Sequence, residues 1–125
     1  MKIAVVDDEE GNRKLMKSRM EALRPGAKIY LYINGDFFLD KYTEDGPFGI
    51  VFMDNHMPGK SGLEVVEEIR KRGYEGPVCM NSAIMEQADL AEMAAAQEEY
   101  EVDFIQKGPA TTTGDYGRIL EKYGI

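Results

Sequence analysis

The sequence predicts an α/β protein built on one doubly wound, five-stranded parallel sheet. Five short apolar runs lead there: Ile3 to Val6, Ile29 to Ile33, Ile50 to Met53, Val78 to Met80 and Val102 to Ile105. Each gives way to a polar or amphipathic stretch, the βα alternation that right-handed crossovers fold into a sheet covered on both faces. The first and third runs are apolar without interruption, as in strands buried on both sides. The second alternates Ile29, Leu31 and Ile33 with Tyr30 and Tyr32, which reads as an edge. A chain of 125 residues, 43% hydrophobic and 30% charged, has material for one ordinary core and no room for a second domain.

The intervening stretches justify the helices in turn. Met16, Met20 and Leu23 stand at i, i+4 and i+7, one face of a 3.6-residue period. Ser61 and Glu64 form a capping-box pattern ahead of Val65, Val66 and Ile69, and Gly73 offers a stop. The fourth helix runs from about Met85 into Ala94 to Ala96 on propensity. That leaves Glu98-Glu99-Tyr100-Glu101 between it and the fifth strand. The fifth helix repeats the period with Tyr116, Ile119, Leu120 and Tyr123, but Gly114 and Gly117 cost roughly 1 kcal/mol each relative to Ala, which predicts a short or frayed element.

Composition excludes several classes. No apolar run approaches a membrane span and the amino end lacks a signal-peptide pattern, so the expectation is a cytoplasmic protein without membrane contact. The single cysteine, Cys79, rules out an internal disulfide framework, and its neighbours Val78 and Met80 place it in a buried strand. A net charge of −8 with no dense Lys/Arg cluster argues against direct nucleic-acid binding. The eight methionines read as core filler.

A doubly wound parallel sheet binds its ligands at the carboxyl ends of the strands, and the polar residues found there form one chemical set. Asp7 and Asp8 follow the first strand, Asp54 the third, Ser82 the fourth and Lys107 the fifth. Carboxylates brought to about 4 Å repel by several kcal/mol per pair at an effective dielectric near 20, so a cation belongs among them. Oxygen donors favour a hard divalent ion, Mg²⁺, with Lys107 as a second positive charge. Carboxylates can act as nucleophiles toward phosphorus, and phosphoryl transfer chiefly needs positioning and charge neutralisation. On this reading Asp54 is the nucleophile, Lys107 holds a phosphoryl oxygen and Ser82 donates a hydrogen bond. His56, the only histidine, lines the mouth of the pocket with its side chain.

These motifs together resemble the receiver domain of the two-component response-regulator family. Ile3-Ala4-Val5-Val6-Asp7-Asp8-Glu9 is similar to the family's first strand with its acidic pair. Val51 through Gly62 resembles the phosphoacceptor strand and its loop, Asn34-Gly35 the turn before the second helix, and Ser82-Ala83 the hydroxyl residue with its small neighbour. Phe104 stands three before Lys107, where the family keeps its switching aromatic. The resemblance implies a flavodoxin-like (βα)5 fold of strand order 2-1-3-4-5, with residues 1–125 as one receiver domain and no output domain. It implies that Asp8, Asp54 and the backbone carbonyl of His56 bind Mg²⁺ directly, with Asp7 acting through water. It further implies a phosphorylation-controlled switch, supplied by a histidine kinase or histidine phosphotransfer protein and read out on the fourth helix, fifth strand and fifth helix through Ser82 and Phe104.

Two departures stand out. Gly108 separates Lys107 from Pro109, where the family usually has proline directly after its lysine. The span from Ser82 to Lys107 is a few residues long, and Tyr100-Glu101-Val102-Asp103 replaces a smaller, Gly-containing approach to the fifth strand. A magnesium-dependent phosphatase with an aspartyl-phosphate intermediate is the alternative. The haloacid dehalogenase type places a second Asp two residues after the nucleophile, where this chain has His56. A phosphate-independent interaction domain would not require Asp8, Asp54, Ser82 and Lys107 together.

Overall fold

The computed structural model describes residues 1–125 as five alternating strands and helices. The elements are β1 (Lys2–Val6), α1 (Glu10–Leu23), β2 (Lys28–Tyr32), α2 (Gly35–Asp45), β3 (Ile50–Met53), α3 (Gly62–Lys71), β4 (Val78–Ser82), α4 (Gln87–Tyr100), β5 (Asp103–Gln106) and α5 (Thr113–Lys122). The strands pair in parallel in the order β2-β1-β3-β4-β5.

Alternation along the strands builds two cores. Ala4, Val6, Val51, Met53, Val78 and Met80 point to the face covered by α2, α3 and α4, where they meet Phe38, Val65, Ile69 and Met93. Ile3, Val5, Ile50, Phe52 and Cys79 point the other way, onto Met16 and Met20 of α1 and Tyr116 and Leu120 of α5. The central strands are buried on both faces, as their unbroken apolar runs require. Cys79 is fully buried, and burial pushes its thiol pKa up, so it is an inert core residue. Six methionines are buried, but Met1 and Met85 are exposed, Met85 by 75%, so core filling does not account for all eight.

Several boundaries differ from the sequence expectation. Strand β2 ends at Tyr32, and Ile33 is left exposed because the chain turns into α2, whose N-cap Asn34 accepts a hydrogen bond from the Phe37 amide. Strand β4 reaches through Asn81 to Ser82, and β5 is shifted one residue, from Asp103 to Gln106. Helix α4 continues through Glu98 and Tyr100, so the acidic segment is its last turn rather than a linker. Gln and Glu sustain helix well, and the turn closes only at Glu101, which takes left-handed φ 54° as C-cap. Helix α5 has ten residues, as many as α3, despite its two glycines, because Thr112 and Asp115 close a capping box at its start.

Helix α3 has the capping box predicted from Ser61 and Glu64, and Gly73 follows its end at φ 96°. Arg70 then ties α3 to α4, donating from Nε to the Tyr100 carbonyl and from one Nη to the carbonyls of Tyr74 and Gly76. A few residues further on, Asp103 of β5 accepts from Lys122 at 2.6 Å and from the Tyr123 hydroxyl. The one cis peptide bond is Gly46–Pro47; the Lys107-Gly108-Pro109 segment is trans throughout.

Candidate functional site

The sheet ladder runs one residue beyond the strands and thereby fixes the polar groups at their carboxyl ends. The Asp7 amide donates to the Tyr32 carbonyl, the Asp54 amide to Val6 and the Lys107 amide to Ser82, at 2.9–3.1 Å. Each backbone is held by a neighbouring strand, so the side chains converge with little freedom.

Asp54 lies at the centre and is 5% exposed. Its Oδ1 accepts a hydrogen bond from the Ser82 hydroxyl at 3.0 Å, and its Oδ2 lies 3.6 Å from the Lys107 ammonium. Lys107 sits closer to Asp7, 2.5 Å from Oδ2, while Asp7 Oδ1 accepts from the Glu9 amide at 3.0 Å. Asp8 is exposed beside them, and Asp7, Asp8 and Asp54 each offer an oxygen within 4.8 Å of the others. Three carboxylates against one ammonium leave two uncompensated negative charges, the complement of a hard divalent cation. Burial raises the Asp54 pKa above the ordinary carboxylate range, with Asp7 and Asp8 adding to the rise, while Lys107 and the Ser82 hydrogen bond act against it. A cleft of about 410 Å³ opens onto this carboxylate, lined by Glu9, Asn12, His56, Ala83, Met85 and Lys107 among others.

The segment after Asp54 is pressed into place by α3. A Cβ on Gly62 would lie 2.1 Å from the Asp54 carbonyl oxygen, so only glycine lets the first turn of α3 come so close. Asn55, 4% exposed, binds in three directions: its amide donates to Ser82 Oγ, its Oδ1 accepts from the Leu63 amide, and its Nδ2 donates to Glu92 of α4. The His56 side chain stands at the cleft mouth and pairs with Asp89 at 3.3 Å. Asp89 also caps α4, and the amides of Glu86 and Met85 hold its carboxyl below the usual range, with His56 contributing.

The structure thus brings Asp7, Asp8, Asp54, Ser82 and Lys107 together. Phe104 stands apart from the carboxylates, half-buried and packed on the face that carries α4. Sequence reasoning missed Asn55, Asp89 and Glu92. An Asn directly after a nucleophile candidate reads as a loop residue, and no pattern along the chain announces that α4 will swing two acids over that loop.

A five-stranded doubly wound sheet with a carboxylate, lysine and hydroxyl cluster at the carboxyl ends of its strands defines a class of α/β domains, and comparison with known proteins narrows it. The family model for the response regulator receiver domain matches residues 3–112, and this chain belongs to that family. The response regulator TrrA of Thermotoga maritima, solved in complex with Mg²⁺ and BeF, is 30% identical, with 98% of this chain and 97% of that one covered at TM-score 0.76. A response regulator receiver domain from Clostridium thermocellum superposes at TM-score 0.84 over 98% of this chain and 92% of its own, at 24% identity. The Vibrio cholerae chemotaxis protein CheY4 does so at TM-score 0.79 over 98% and 97%, at 17% identity. The last two similarities speak to the fold alone.

Proposed function

We propose that residues 1–125 act as a single receiver module that accepts a phosphoryl group on Asp54 from a phosphohistidine of a histidine kinase or phosphotransfer protein and returns it to water. The observation that carries this reading is the surroundings of the Asp54 carboxylate: Ser82 on one oxygen, Lys107 near the other, and two unmatched negative charges from the acidic set. One Asp54 oxygen attacks phosphorus, the P–N bond to the donor imidazole breaks, and an acyl phosphate forms. Lys107 takes a phosphoryl oxygen as a point charge and the Ser82 hydroxyl turns from Asp54 to donate to another. Asp8, Asp54 and the His56 carbonyl would hold Mg²⁺ directly and Asp7 through water; the ion supplies charge neutralisation for the phosphoryl oxygens. The Mg²⁺ and BeF bound by TrrA support this assignment.

The proposed switch rests on the family resemblance. Ser82 drawn toward the phosphoryl group releases the Asn55 amide and vacates space into which Phe104 turns, so the α4–β5–α5 surface changes. Incubation with a small phosphodonor and Mg²⁺, followed by intact-mass measurement before and after mild base, tests the acceptor. Wild type should gain one base-labile phosphoryl group and Asp54→Asn none. A normal adduct on the variant would move the acceptor elsewhere.

A further inference from the structure

Beside the acceptor cleft lies a second cavity of about 230 Å³, between α1 and the β5–α5 loop. The two share only Asn12, Lys107 and Gly108 as a common wall. The rest of its lining comes from Leu15, Met16, Arg19, Asn81, Thr111 and Tyr116. In a chain of net charge −8, this cavity has no carboxylate in its wall.

Arg19 is its unspent charge. The guanidinium lies 4.9 Å from the Tyr116 ring centroid, and one Nη donates to the Thr111 carbonyl at 3.3 Å. Its Nε is buried with no acceptor and it forms no ion pair, so the guanidinium keeps a donor and its full charge unmatched. Asn81, 4% exposed, accepts from the Tyr116 hydroxyl on Oδ1, which turns its amide donors outward from that bond. Lys107 is committed to Asp7 and Asp54. The stacked, tethered guanidinium is therefore a pre-oriented cation among neutral donors, in a space below the roughly 300 Å³ at which pockets for drug-sized ligands begin.

We propose that this cavity binds a small oxyanion, either orthophosphate or the phosphate end of a small phosphate ester, on Arg19 with help from the Asn12 and Asn81 amides. The site is separate from Asp54 and does not depend on that residue accepting a phosphoryl group.

The test is a titration of ¹⁵N-labelled protein with orthophosphate at fixed ionic strength and fixed Mg²⁺, followed at the Arg19 Nε–Hε and at the Asn12 and Asn81 side-chain amides. Saturating shifts in the millimolar range are expected in wild type and in Asp54→Asn. Arg19→Gln should weaken binding by about tenfold or more, the scale of a lost charge-assisted bond. Leu15→Glu places a carboxylate at the rim from an exposed position and should weaken it similarly, which keeps the test informative if Arg19→Gln unfolds. A parallel titration with methyl phosphate separates the sources: tighter binding than orthophosphate assigns the ester, weaker binding the free ion. Shifts that rise linearly, survive both Arg19→Gln and Leu15→Glu, or centre on Asp8 and Ser82 and vanish in Asp54→Asn would overturn the proposal.

Discussion

Asp54 is a charge that the metal-free fold holds at a cost. Its pKa is raised first by burial and then by Asp7 and Asp8, beyond what Lys107 and Ser82 recover. A raised folded-state pKa means that stability is fully present below the unfolded value, about 3.9, and is lost as pH rises through the folded one. Asp54→Asn should therefore melt higher than wild type at neutral pH without metal, and the two should converge in acid. Added Mg²⁺ should stabilise wild type more than the variant; thermal melts across pH with and without the ion check both signs. The two acids after β1 divide differently. Asp7 is occupied by Lys107 and the Glu9 amide, whereas Asp8 faces solvent. Asp8→Ala should lower Mg²⁺ affinity by about tenfold or more and Asp7→Ala by less. Calorimetric titration decides, and a larger loss in Asp7→Ala would make Asp7 the direct ligand.

At the scale of elements, α3 packs against Asp54 and α4 is tied to the residue that follows it. Because Gly62 abuts the Asp54 carbonyl at a distance no Cβ tolerates, Gly62→Ala must push α3 outward or displace Asp54. The expected loss is about 1–3 kcal/mol, typical of overpacking, with a disproportionate drop in phosphorylation rate. Denaturant melts and timed phosphorylation would measure the two effects, and wild-type values in both would show that the contact is soft. Helix α4 is differently made: only Met93 and Ala96 are buried, and its lateral anchors are polar, Asn55 to Glu92 and His56 to Asp89. The difference marks how much the sequence disclosed. Helix α3 was legible because an apolar face, a capping box and a stop glycine agree along one stretch of chain. The extent of α4 was not, since Glu98 to Tyr100 carry no burial signal and their helix is closed by Arg70 from a different element. Asp7, Asp8, Asp54, Ser82 and Lys107 were legible because strand ends in this topology converge, while Asn55, Asp89 and Glu92 are joined only by the fold.

Across the whole molecule, the proposed phosphorylation would have to move a surface without melting a core. If the resting state outnumbers the active one by roughly 99 to 1, reversal needs about 5.5 kcal/mol of differential binding, within reach of a doubly charged group engaged by Lys107, Ser82 and a divalent ion. Hydrogen exchange with and without beryllofluoride should change from Ser82 to Lys107, including the last turn of α4, and leave β1, β3 and α3 unaltered. Change confined to the Asp54 loop would leave the site without a demonstrated output. The region asked to move includes an edge of the sheet, and an open strand edge can recruit the strands of other molecules. β5 is only four residues long, and its first residue, Asp103, carries a charge anchored by Lys122 of α5 and by Tyr123 just after it. An intruding strand would meet a short ladder with an ionic obstruction at its entrance. A short, charged edge of this kind works against strand-to-strand aggregation, whatever movement the proposed switch asks of it.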